Sequence, residues 1–81
     1  METKKKITIT GKKVHDVRYR PFLLGVAESL EMSRFFADNI FINKKQVVNV
    51  LVCSSEENVN AFIEVASSKF PDESNVEKVD V

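Results

Sequence analysis

What most constrains this chain is where its apolar periodicity changes. From Ile7 the residues alternate, with Ile7 and Ile9 on one side and Thr8 and Thr10 on the other. Alternating β-branched residues make a half-buried strand, and Gly11 is expected to end it. From Pro21 the period becomes helical: Leu23, Val26, Ala27 and Leu30 share a stripe, with Phe22 beside Val26. Proline suits the first helical position, because the N–H that it lacks would have been unpaired there. "RFFADNIFIN" and "QVVNVLVCS" return to strand character, and "NKK" between them can turn the chain into a hairpin. A second helix follows. A capping box from Ser54 to Glu57 opens it, Val59, Phe62, Ile63 and Ala66 form its stripe, and Phe70-Pro71 closes it. "NVEKVDV" alternates again, as a short last strand with an irregularity.

The order strand, helix, strand, strand, helix, strand predicts an α+β ferredoxin-like βαββαβ sandwich. Its sheet has four strands, mainly antiparallel, with both helices on one face. Ile7, Ile9, Val48, Val50 and Val52 are the expected sheet side of the core. With 81 residues the expectation is one domain spanning 1–81. An apolar fraction of 43% and only two glycines and two prolines argue for a folded globule rather than a disordered chain. A formal net charge of zero argues against a domain that coats a polyanion. The single cysteine, Cys53, can form neither an internal disulfide nor a Cys-pair metal site, and it reads as a small core residue. No apolar run is long enough to span a membrane, and "METKKK" does not lead into a signal-peptide core. A cytoplasmic monomer is the expectation.

The segment "GKKVHDVRYRPF" connects the first strand to the first helix. Such a junction offers unpaired backbone N–H groups and the positive end of a helix dipole, and both favour anions. Arg20 stands immediately before Pro21, so it is expected to be extended at the mouth of the helix. Its guanidinium is a planar fork that matches phosphate oxygens. On composition alone Arg20 reads as a solvated surface cation near a helix start, because a helix N-terminus disfavours a cation unless something negative sits there.

"GKKVHDVRYRPF" resembles the signature of the acylphosphatase family, in which a glycine, a valine, a Gln-Gly-Val step, an aromatic and an arginine precede the first helix. Gly11, Val14, Val17, Tyr19 and Arg20 follow that order, with one extra residue between Gly11 and Val14. His15 stands at the glutamine place and Asp16 at the glycine place. "FFADN" is similar to a second family signature through Phe36, Ala37, Asp38 and Asn39, with Phe35 where the family has glycine. The resemblance implies a hydrolase of acyl phosphates that needs no metal or cofactor. It implies that Arg20 clamps the phosphate and that Asn39 orients the attacking water. Backbone N–H groups of His15, Asp16, Val17, Arg18 and Tyr19 would form the cradle. The implied partner is a small acyl phosphate, with inorganic phosphate or sulfate able to fill the same place.

Two departures matter. A carboxylate about 5 Å from a phosphoryl charge, at an effective dielectric of about 20, costs on the order of 3 kcal/mol per unit charge. Asp16 therefore has to point into solvent or pair with Arg18 or Arg20. Pairing with Arg20 would fill the anion site from within and leave an anion- or protein-binding module without catalysis. Counting back from the third strand points to Asn43 rather than Asn39, and the two share strand parity, so both remain candidates. Nucleic-acid binding is disfavoured because "KITIT" and "QVVNVLV" carry no aromatic on which a base could stack.

Overall fold

The computed structural model describes residues 2–81. Its elements are β1 (Glu2–Lys13), α1 (Tyr19–Ser29), β2 (Arg34–Ile42), β3 (Lys45–Ser55), α2 (Glu56–Ser68) and β4 (Asn75–Asp80). The strands form one sheet in the order β2-β3-β1-β4, and all three pairings are antiparallel. This is the ferredoxin-like α+β sandwich that the order of periods predicts.

Period-two alternation decides which side of the sheet is covered. Ile7 and Ile9 of β1 pair with Val50 and Val48 of β3, which in turn oppose Ala37 and Asn39 of β2. Ile7, Ile9, Val48 and Val50 share a core with Leu23 and Ala27 of α1 and with Val59, Phe62 and Ala66 of α2, and Ala37 packs against it. Phe35 adds a tilted ring contact with Phe62 at 5.9 Å between centroids. Truncating a buried ring such as Phe62 costs about 3–5 kcal/mol, a large share of a small domain's stability.

The β2–β3 hairpin needs no glycine. Asn43 and Lys44 both take positive φ, 52° and 67°, which is the signature of a two-residue turn matched to the strand twist. That turn fixes the register with Ile42 opposite Lys45.

Three expectations are corrected. β1 does not stop at Gly11 but runs on to Lys13, with register shifts against β4 on either side of the glycine. A side chain at Gly11 would collide with the carbonyl oxygen of Asn75, so the missing Cβ allows close approach of β4 rather than ending β1. The α2 cap is Ser55, not Ser54: Ser55 Oγ accepts from the Asn58 N–H at 3.2 Å, while Ser54 is buried in the strand. Finally, α1 starts at Tyr19, so Pro21 is its third residue and Arg20 is helical rather than extended. Pro21 still lies in the first turn, where no N–H is needed, and the Phe22 N–H reaches over it to the Arg18 carbonyl at 3.0 Å.

Candidate active site

Residues 14–18 link β1 to α1 without regular structure. Their path follows from alternate burial. Val14 is fully buried, and Val17 and Tyr19 are nearly so, while Asp16, Arg18 and Arg20 are exposed. Each buried valine anchors the loop with about 1.5–3 kcal/mol of apolar burial. The inward side chains thus fix the loop to the core, and the outward positions carry a carboxylate and two guanidiniums.

The backbone of this loop is unusual. Asp16 and Arg18 have φ of 58° and 61°, and Val17 between them is not left-handed. Alternation of this kind turns successive N–H groups toward one side and makes an anion-binding concavity. Left-handed backbone costs an ordinary residue about 1–2 kcal/mol, although aspartate tolerates it well. Asp16 therefore takes up backbone that a glycine would adopt freely. Among the described residues, the N–H groups of residues 16–20 have no acceptor. Arg18 caps α1 without any side-chain hydrogen bond, so the helix mouth is open.

A concavity of about 330 Å³ lies against this loop, lined by Val14, Asp16, Arg18, Tyr19, Arg20 and Asn39, with Pro21 at its edge. The chain thus brings Arg20, from the first turn of α1, together with Asn39 from β2. Asn39 sits on the core-facing side of β2, opposite Val48. Its Oδ1 is buried and has no partner among the described residues, and the same is true of the Tyr19 hydroxyl. Burial raises the Tyr19 phenol to a pKa of about 12. Asn43, the competing candidate, lies instead in the β2–β3 turn beside a separate hollow with Thr8, Thr10 and Glu77.

Asp16 is exposed and forms no ion pair with Arg18 or Arg20 among the described residues. His15 differs from its expected part. Its backbone N–H donates to Gln46 Oε1 at 2.9 Å, so that amide is already engaged. The residue is 7% exposed, and its Nε2 donates to the Val47 carbonyl at 2.9 Å, since a carbonyl can only accept. Phe41 packs edge-on against the ring with centroids 5.0 Å apart. His15 is therefore an anchor of the loop, and the unpartnered amides begin at Asp16.

Sequence reasoning missed Gln46. Its Oε1 accepts from both Val14 N–H and His15 N–H, each at 2.9 Å. The signal was present as a polar residue at the core-facing parity of Val48, Val50 and Val52.

A larger groove of about 570 Å³ lies elsewhere, lined by strand residues that include Lys4, Lys6, Arg34, Phe36 and Leu51, and neither Arg20 nor Asn39 belongs to it. Among the described residues no helix is long and apolar enough to cross a membrane.

The fold has relatives among solved structures. The structure is similar to full-length HypF solved in a phosphate- and nucleotide-bound form, with a TM-score of 0.76 and 18% identity over 99% of this chain. The match covers only 10% of that much longer protein. It is also similar to an acylphosphatase from Coxiella burnetii, with a TM-score of 0.68 and 19% identity over 98% of this chain and 77% of the other. At such identities these likenesses establish the fold alone. Comparison with curated proteins gives no match. The family model described as Acylphosphatase matches residues 5–81, from β1 through the loop at residues 14–18 and on past β4, and the chain therefore belongs to the acylphosphatase family.

Proposed function

We propose that the protein is an acylphosphatase, hydrolysing the carboxyl–phosphate bond of acyl phosphates to a carboxylate and inorganic phosphate. The observation that carries this reading is that Arg20 and Asn39 line one concavity together with Asp16, Arg18 and Tyr19 of a loop whose N–H groups have no acceptor among the described residues. In this reading the amides and the Arg20 guanidinium hold the phosphoryl oxygens, and the helix mouth adds its dipole.

Asn39 orients a water molecule toward phosphorus. The water oxygen bonds to phosphorus as the bond from phosphorus to the bridging oxygen breaks, and that oxygen leaves with the carboxylate. The water proton passes to a phosphoryl oxygen or to solvent, so no side-chain base is required. Phosphoryl transfer depends mainly on positioning and charge stabilisation, and an acyl phosphate carries a good leaving group. A small site without a metal or cofactor suffices for that chemistry. The same reading takes residues 1–81 as one working domain, a monomer placed in the cytoplasm, where its buried Cys53 thiol stays reduced.

The test is release of inorganic phosphate from benzoyl phosphate by the purified protein, set against its Arg20→Ala variant. Turnover by the parent alone supports the reading. Equal rates in both, at the level of buffer hydrolysis, would end it.

A further inference from the structure

We propose that Gln46, at the start of β3, is the positioning residue of the phosphate cradle. Its carboxamide oxygen takes two successive loop amides, Val14 N–H and His15 N–H, each at 2.9 Å. Next to it, the Val47 carbonyl accepts from His15 Nε2 at 2.9 Å. Two neighbouring residues of the loop are thus tied by three hydrogen bonds to two neighbouring residues of β3. The orientation of the carboxamide is unambiguous, because a reversed side chain would set its NH2 against two N–H donors.

The next residue along the loop, Asp16, is the first left-handed one, and Arg18 is the second. Strained backbone of this kind persists only where the surroundings hold it. The Arg18 side chain makes no capping hydrogen bond, and Asp16 has no ion pair among the described residues. The hold comes from upstream. Gln46 fixes the peptide planes just before the reversal and so sets the direction in which the amides of residues 16–20 run along the concavity. Gln46 does not touch the phosphoryl group and acts through the loop. This inference rests on the anion site described under Proposed function.

The experiment compares the parent protein with Gln46→Met, of similar length but without the acceptor, and Gln46→Glu, which keeps it. Three quantities are measured: kcat and KM for benzoyl phosphate, thermal stability, and the affinity for inorganic phosphate from the backbone amide shifts of residues 16–20. A misplacement of about 1 Å in a reacting geometry can cost about 100-fold in rate. The Met variant should therefore remain folded, lose about 10- to 100-fold in kcat and bind phosphate more weakly. The Glu variant should recover kcat at saturating substrate to within a few-fold of the parent, with a raised KM from its added charge. If the Met variant does not fold, Gln46→Ser, polar but too short to reach the loop, takes its place. A folded Met or Ser variant with kcat and phosphate affinity within twofold of the parent would overturn the inference, as would a Glu variant as slow as Met at saturation. A parent protein that binds phosphate at these amides without turnover would end the hydrolase reading alone, and the phosphate titration would still decide the role of Gln46. A parent that binds no phosphate would overturn both.

Discussion

Asn39, in the middle of an edge strand, faces the same 330 Å³ concavity as Arg20, in the first turn of α1. Neither residue contacts the other's element through chain connectivity alone; the sheet register and the seating of α1 bring them together. Asn39 Oδ1 is buried without a hydrogen-bond partner among the described residues, an exception to the rule that buried polar atoms are paired.

Replacing Arg20 with alanine should leave the fold intact, because the residue is exposed and its side chain forms no ion pair among the described residues. If it clamps the phosphoryl group, kcat/KM for benzoyl phosphate falls by about 100-fold or more, the scale of losing one preorganised charge-stabilising donor. Circular dichroism and steady-state kinetics check the two halves of this expectation.

Asn39 and Asn43 separate cleanly. Asn39→Ala should reduce kcat by about 100-fold while inorganic phosphate still inhibits, since the cradle is untouched. Asn43→Gly should keep kcat within about twofold, because Asn43 lies in the hairpin turn with φ of 52°, where glycine is at home. A reversed pattern would move the water-orienting role to the turn.

Asp16 places a carboxylate beside the proposed anion site, and its exposure lets solvent and salt screen it. Asp16→Asn removes the charge and keeps a side chain that accepts left-handed backbone. Phosphate should then bind about three- to tenfold more tightly at low salt, with the difference shrinking as ionic strength rises. Asp16→Gly should do at least as well, since glycine also relieves the backbone at φ of 58°. Inhibition constants for inorganic phosphate at two salt concentrations decide the matter. No change in either variant would mean that the anion sits away from this loop.

Tyr19 is the only tyrosine, so its titration can be read directly from phenolate absorbance. Burial disfavours the charged form and raises its pKa from 10 to about 12. Below pH 10 the phenol is neutral in both folded and unfolded chains, and its contribution to stability is fully present. Between pH 10 and about 12 the unfolded chain ionises first, so that contribution is lost as pH rises through this window. Denaturant midpoints should fall across it, and the folded protein should titrate near 12 rather than 10. A normal titration near 10 would mean that the hydroxyl reaches water.

Much of the architecture is written locally. The alternation of Ile7 and Ile9, the stripes of Leu23 with Ala27 and of Val59, Phe62 and Ala66, and the valines of β3 all face the core as their periods require. Such periodicity reflects burial on one face of one element, which is a property of neighbouring residues. The family signatures likewise lie in short segments, around Arg20 and around Asn39, and the family match spans both. What a sequence cannot carry in one place is a relation between distant segments. The helix begins at Tyr19 and not at Pro21, because a left-handed Arg18 caps it and the buried Val17 and Tyr19 hold the turn. Gly11 lies inside β1 because of where Asn75 passes. His15 is an anchor, and Asn39 rather than Asn43 reaches the concavity, because β3 carries Gln46 and Val47 to the loop and the hairpin register sets β2. Local pattern determined the elements and their inward faces; the meeting of the loop with β2 and β3 was left to tertiary packing, since those contacts join residues that are far apart along the chain.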